Sequence, residues 1–250
     1  MFEFKNSQGT GQPFAQRIAM REEFAAQLRF LRTVQESDIA NCIALCGSAA
    51  LHGIYLRGRR TATIDFIAAP EVAKRFEASV RAQGAAISRR PGQPGFYVDS
   101  QSAVLPGMGF GVRVYSRAAL LNEVQDHQFS DLSGQTVAVR AFSLRELAAA
   151  KLANLVLRNE SRDYLDMWLL MQQSQEIYEP VRALCAKRST AGSSYAPPYP
   201  FDAFWACSRF ASLESKWDSA ISGTINSMPE FRVVYDDLRR WLPRFGDGCS

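Results

Sequence analysis

Residues 18–34, IAMREEFAAQLRFLRTV, carry Phe24, Leu28 and Leu31 at helical spacing, which predicts a helix. NCIALCG follows as a short apolar run ending at glycine and predicts a strand over 41–46. Ser48 then opens AALHGIYL, a helix-like run that stops at Gly58. TATIDFIA, 61–68, is β-branched and partly alternating, and predicts a second strand. Pro70 suits the first turn of a helix over PEVAKRFEASVRAQG, which Gly84 ends. Between 85 and 116, FYVDS and VRVYS alternate with Gly/Pro-rich turns and predict a hairpin. One more short strand is expected near 135–140.

The pattern changes after residue 140. Ser143 and Glu146 make a capping-box signature, S-L-R-E, before an alanine-rich helix that runs to about Arg158. RDYLDMWLLMQQ resumes the helix after NES, and two more helices are expected around 201–222 and 230–241. SSYAPPYP, 193–200, reads as a linker or surface loop, and residues 1–15 read as loose. An α/β core thus precedes an α-helical half, with a soft boundary near 140.

Composition narrows the function classes only a little. Hydrophobic residues at 47% and charged residues at 22% argue against global disorder. The net charge of +4 permits a polyanionic partner without implying one. The cysteines, Cys42, Cys46, Cys185, Cys207 and Cys249, are odd in number and form no CxxC pair, which suits a reducing compartment. His52 and His127 are the only histidines, so nothing supports a structural zinc site. MFEFKNSQGTGQPF lacks the cationic start and apolar run of a signal peptide, and no run of about 18 apolar residues suggests a membrane span. A cytoplasmic protein is the default expectation.

The stretch LCGSAALHGIYLRGRRTATIDFI concentrates the candidate chemistry. Strand, Gly47, Ser48 and helix together can form an anion site, because glycine admits close approach and first-turn N–H groups lack intrahelical partners. The same letters also make an ordinary turn and cap. Asp65 stands in an apolar strand and needs a partner. A salt bridge to Arg57, Arg59 or Arg60 would supply one, and so would Mg²⁺. Thr63 shares a strand face with Asp65 and offers a hydroxyl where a second acid would complete a metal pair. Further on, Lys151 and Arg158 lie roughly on one helical face, and Asp163 and Asp166 are i,i+3 neighbours that can equally cap or solvate a helix.

Together these letters resemble the AbiEii/AbiGii-type nucleotidyltransferase toxins of the polymerase-β-like nucleotidyltransferase superfamily. One signature is Gly47-Ser48 with R-R-T-A-T-I-D-F, Arg59 to Phe66; the other is Lys151, Arg158 and Arg162-Asp163-Tyr164-Leu165-Asp166. The resemblance covers about 40–172 and implies an α+β fold: a helical lead-in over 1–40, a nucleotidyltransferase-like core with a small mixed sheet over 41–140, and a helical domain over 141–250. It implies that Gly47 and Ser48 hold a nucleoside triphosphate and that Arg59 orients the loop or neutralises phosphate. Asp65 would be the second metal acid, Lys151 would contact phosphates, and Asp163 would be the acid of the helical half. Thr63 takes the place of the first metal acid, with Arg158, Arg162 and Asp166 completing the helical signature. Mg²⁺ or Mn²⁺, transfer of a nucleotide to RNA such as tRNA, and a cognate antitoxin partner follow as expectations.

Two departures stand against those expectations. The first paired acid is Thr63, and the strand expected to carry a third acid, GVRVYS, holds Arg113 and Tyr115; Asp99 on FYVDS is the candidate replacement. An active transferase and a catalytically degenerate nucleotide-, RNA- or partner-binding protein are therefore both open from the sequence, with an unrelated interaction protein as a third class.

Overall fold

A computed structural model describes residues 14–57, 59, 61–91, 95–99, 109–116, 124–158, 160–173, 177, 181, 207–222, 224 and 228–242. Helix α1 (Phe14–Gln35) leads into strand β1 (Ile43–Cys46), helix α2 (Gly47–Ala50) and a π-helical turn, Leu51–Leu56. Strand β2 (Thr63–Ala68), helix α3 (Pro70–Ala82) and strands β3 (Ile87–Ser88), β4 (Phe96–Asp99), β5 (Gly109–Ser116), β6 (Val124–Ser130) and β7 (Thr136–Phe142) complete the sheet region. Helices follow: α4 (Leu144–Leu157), α5 (Ser161–Gln173), α6 (Cys207–Glu214), α7 (Trp217–Ile221) and α8 (Phe231–Trp241).

The seven strands form one mixed sheet in the order β3-β4-β5-β2-β1-β7-β6. Central β2 pairs antiparallel with β1 and parallel with β5, and β1 pairs parallel with β7. Strand alternation divides β2 cleanly. Ile64 and Phe66 are buried. Phe66 meets Phe30 of α1 and Phe76 of α3, while Phe30 also meets Phe110 of β5 and Phe76 meets Phe96 of β4. Thr63, Asp65 and Ile67 therefore face the other side of the sheet.

That other side carries the helical half. Ser143 caps α4 by accepting from the Glu146 N–H at 3.3 Å, as the capping-box letters predict. Tyr164 of α5 stacks on Tyr235 and meets Phe231 edge-on, and Phe210 and Trp217 extend the same cluster. Trp168 donates its indole N–H to Asp237 at 2.9 Å, tying α5 to α8.

Several local expectations shift. Strand β1 begins at Ile43, because Ala40–Cys42 form a 3₁₀ turn. The run after Ser48 is α-helical for one turn only and then widens into the π-helical turn, ending in a left-handed Arg57. Strand β6 joins the one expected near 135–140, and 201–222 holds two short helices, α6 and α7, instead of one. Residues 1–13 and the 193–200 linker lie outside the described residues. Among the described residues no helix is long and apolar enough to cross a membrane.

Candidate nucleotide cleft

A cleft of about 390 Å³ opens between the Asp65 face of the sheet and helices α4 and α5. Gly47, Ser48, Arg59, Thr63, Asp65, Arg113, Tyr115, Lys151, Arg158, Arg162 and Asp163 all line it. Two signatures about a hundred residues apart thus meet at one place. Gly47 is fitted to its position twice over. Its φ is +66°, and a Cβ there would sit 2.8 Å from Asp65 Oδ2.

Asp65 is held by Arg113, and not by Arg57 or Arg59. The parallel register of β2 and β5 sets Arg113 opposite Asp65. Arg113 Nε donates to Asp65 Oδ1 at 2.6 Å and Nη2 to Oδ2 at 2.8 Å. The same Nη2 donates to Thr63 Oγ1 at 3.1 Å. Burial pulls the Arg113 guanidinium down, but the hydrogen bonds and charge of Asp65 outweigh it and hold the group above its ordinary value. Arg57 instead donates to Ser130 Oγ, Arg59 pairs with Asp166, and Arg60 lies outside the described residues.

This floor does not suit a divalent ion. Mg²⁺ needs several oxygen ligands, and here one carboxylate is already neutralised by a guanidinium. Asp99 does not supply a second. It lies opposite Gly109 while Gly95 flanks the level of Arg113, so it stands roughly 13 Å along the sheet at ~3.3 Å per residue. It is exposed and accepts from Ser88 Oγ. Among the described residues no group of three or more His, Cys, Asp or Glu side chains can hold a metal.

Behind the floor, Asp166 is the centre of a buried charge cluster. Arg59 donates Nε to its Oδ1 at 2.8 Å and Nη2 to its Oδ2 at 2.9 Å. His52 Nε2 lies 2.8 Å from Oδ1, and Lys151 Nζ lies 2.5 Å from Oδ2. Ser48 Oγ donates to Oδ2 at 3.3 Å and accepts from Arg59 and Lys151. Asp163 accepts from Lys151 and Arg158, each at 3.1 Å. Burial opposes the Asp166 carboxylate, yet Arg59, Lys151 and His52 hold it well below the usual range. Burial drives His52 down to about 4 against the pull of Asp166. The imidazole is therefore neutral, its Nε2–H donates to Asp166, and its buried Nδ1 accepts no hydrogen bond among the described residues.

Lys151 is thus engaged three ways, by Ser48, Asp163 and Asp166, which matches the three donors of an ammonium group. The direct cationic contacts available in the cleft come instead from guanidiniums. Arg113 keeps one edge, Nη1, without a hydrogen bond among the described residues. The Arg158 side chain is half exposed, and Arg162 is exposed at the same rim. Tyr115, 41% exposed, stands two residues along β5 from Arg113 and on the same face.

The cluster contains one residue that the sequence motifs do not mark. His52 sits inside a helical run with no spacing signal, and only the π-helical turn brings it to Asp166. Asp166, which composition alone favours as a cap or a solvated acid, has no exposed surface at all and is the acceptor at the centre of the cluster.

Comparison with known proteins bears on the fold and on the family. No curated protein matches the chain in sequence. Among solved structures, MenT4, a nucleotidyltransferase toxin from Mycobacterium tuberculosis H37Rv, is similar at 15% identity and a TM-score of 0.51, covering 92% of each chain. JHP933 from Helicobacter pylori is similar at 13% identity and a TM-score of 0.47, covering 94% of this chain and 95% of that one. The first of these likenesses bears on the fold alone. The family model for the nucleotidyl transferase AbiEii toxin, type IV toxin–antitoxin system, matches residues 29–216, well over half of the chain. The chain therefore belongs to the AbiEii nucleotidyltransferase toxin family.

Proposed function

We propose that this AbiEii-family protein binds a nucleoside triphosphate in the cleft between the sheet and α4–α5, without the two-metal transfer chemistry of its fold. The observation that carries this proposal is the Arg113 guanidinium seated on both Asp65 and Thr63. Two-metal transfer needs carboxylates free to bridge ions about 4 Å apart. Here Asp65, the acid of the cleft floor, is paired with a permanent cation. The cleft volume falls within the range of small-molecule sites, and its polar groups converge from α2, β2, β5, α4 and α5. A cognate antitoxin is the partner that family membership suggests.

The retained Asp65, Lys151 and Asp163 favour a second function, transfer of a nucleotide to RNA such as tRNA. Labelled nucleoside triphosphates incubated with total RNA, under Mg²⁺ and under Mn²⁺, separate the two. Folded protein that binds nucleotide but labels no RNA supports the binding function. Label that disappears in Asp65→Ala overturns it and establishes the transferase.

A further inference from the structure

We infer that Arg113 serves as a built-in replacement for the divalent cation, so that the cleft takes its nucleotide as the metal-free polyphosphate anion. The inference rests on the proposal that the cleft binds nucleotide, and adds the form in which the ligand arrives.

Three positions on one sheet face carry the argument. Thr63 and Asp65 alternate on β2, and Arg113 stands opposite Asp65 on β5. The residues at 63 and 113 complement each other. A guanidinium side-on to a carboxylate satisfies it with Nε and Nη2, and the leftover reach of Nη2 is met by a neutral hydroxyl. A second carboxylate at 63 would need a further cation, and threonine needs none. The three side chains thus form a set in which the carboxylate charge is already balanced by a guanidinium and the hydroxyl is already engaged.

The set is a poor cation site and keeps an edge for anions. Side-on pairing leaves the Nη1 edge of Arg113 without a hydrogen bond among the described residues, in a residue that lines the cleft. Guanidinium stays charged at every physiological pH, and its planar fork suits phosphate oxygens. Arg158 and Arg162 line the same cleft from the helical side, while the Lys151 ammonium is engaged by its neighbours. A nucleotide that brought Mg²⁺ with it would set that ion against Arg113. Like charges in a partly buried site repel, so Mg²⁺ should compete with binding instead of assisting it.

Calorimetric titration with ATP, GTP, CTP, UTP and inorganic triphosphate, in EDTA and in millimolar Mg²⁺, tests the inference. At least one nucleotide should bind in EDTA as tightly as in Mg²⁺, or more tightly. Arg113→Gln should weaken that binding about tenfold or more, equivalent to ~1.4 kcal/mol, with Arg113→Lys between the two. Unfolding midpoints of both variants, measured alongside, exclude loss of fold as the cause. Binding that requires Mg²⁺ or Mn²⁺ overturns the inference and leaves nucleotide binding standing. So does EDTA binding that Arg113→Gln leaves unchanged. Absence of binding under every condition overturns both.

Discussion

Asp65 and Arg113 face each other across the parallel β2–β5 pair and are joined by two hydrogen bonds, of 2.6 and 2.8 Å. Thr63 contributes its hydroxyl to the same guanidinium. An acid that would ligate an ion in a metal-dependent site is here one half of a salt bridge.

If residues 63 and 113 decide between ion and guanidinium, exchanging both should reverse the choice. Thr63→Asp combined with Arg113→Asp should acquire Mn²⁺ binding, read as loss of the free Mn²⁺ paramagnetic resonance signal, while the parent shows none. Equal binding by parent and variant, or no binding by a folded variant, would contradict this role for the pair.

Asp166 should be the least replaceable polar residue. Its removal leaves Arg59, Lys151 and Ser48 without their common, fully buried acceptor. Breaking a buried pair from one side costs about 3–5 kcal/mol. Asp166→Ala should lower urea stability by that amount or fail to accumulate as folded protein. A loss under about 1 kcal/mol would show that the cluster relaxes or hydrates.

Acid should weaken the fold through His52. Its native value, about 4, lies below the 6.5 of the exposed group, so the unfolded chain takes up a proton first as pH falls. The contribution is complete above pH 6.5 and is lost progressively as pH falls from there to about 4. A displacement of that size corresponds to a few kcal/mol, on the order of 3, at about 1.4 kcal/mol per pH unit. Asp166 facing His52 raises it, and Arg59 and Lys151 lower it. His127, also held below its ordinary value by burial, adds in the same direction. Urea titrations at several pH values should show His52→Gln losing less stability than the parent across this window. Parallel curves for the two proteins would remove His52 as the source.

Gly47→Ala should strain the backbone and displace Asp65 together. The left-handed φ costs a non-glycine residue about 1–3 kcal/mol, and the added Cβ meets Asp65 Oδ2 at 2.8 Å. The expected result is a destabilisation of about 2 kcal/mol with weakened nucleotide binding. Unchanged stability would mean that the turn readjusts freely.

The sequence discloses the parts of the site that have local signatures. Gly47 and Ser48 follow a short strand, Asp65 interrupts an apolar one, and Ser143 with Glu146 announces the helix that carries Lys151. It is silent where the answer depends on pairing between distant segments. Asp99 lies on a strand as expected, but antiparallel register carries it to the far end, opposite Gly109. Three arginines at 57–60 compete on paper for Asp65, and among the described residues the partner comes from β5, 48 residues away from the acid. Strand β6, VQDHQFS, escapes a hydrophobic-pattern search because it is an edge strand with polar residues along much of its length.

The Asp166 cluster bears on how such sequences are recognised. Arg59, Lys151 and Asp166 hold the helical half against the sheet from inside, whereas Thr63 and Arg113 sit at the open floor of the cleft. A lineage can exchange floor residues at little structural cost, but loss of the interior set would leave charges stranded out of water. A match to letters of the interior set therefore speaks for architecture, while the chemistry proposed for the cleft turns on positions 63 and 113.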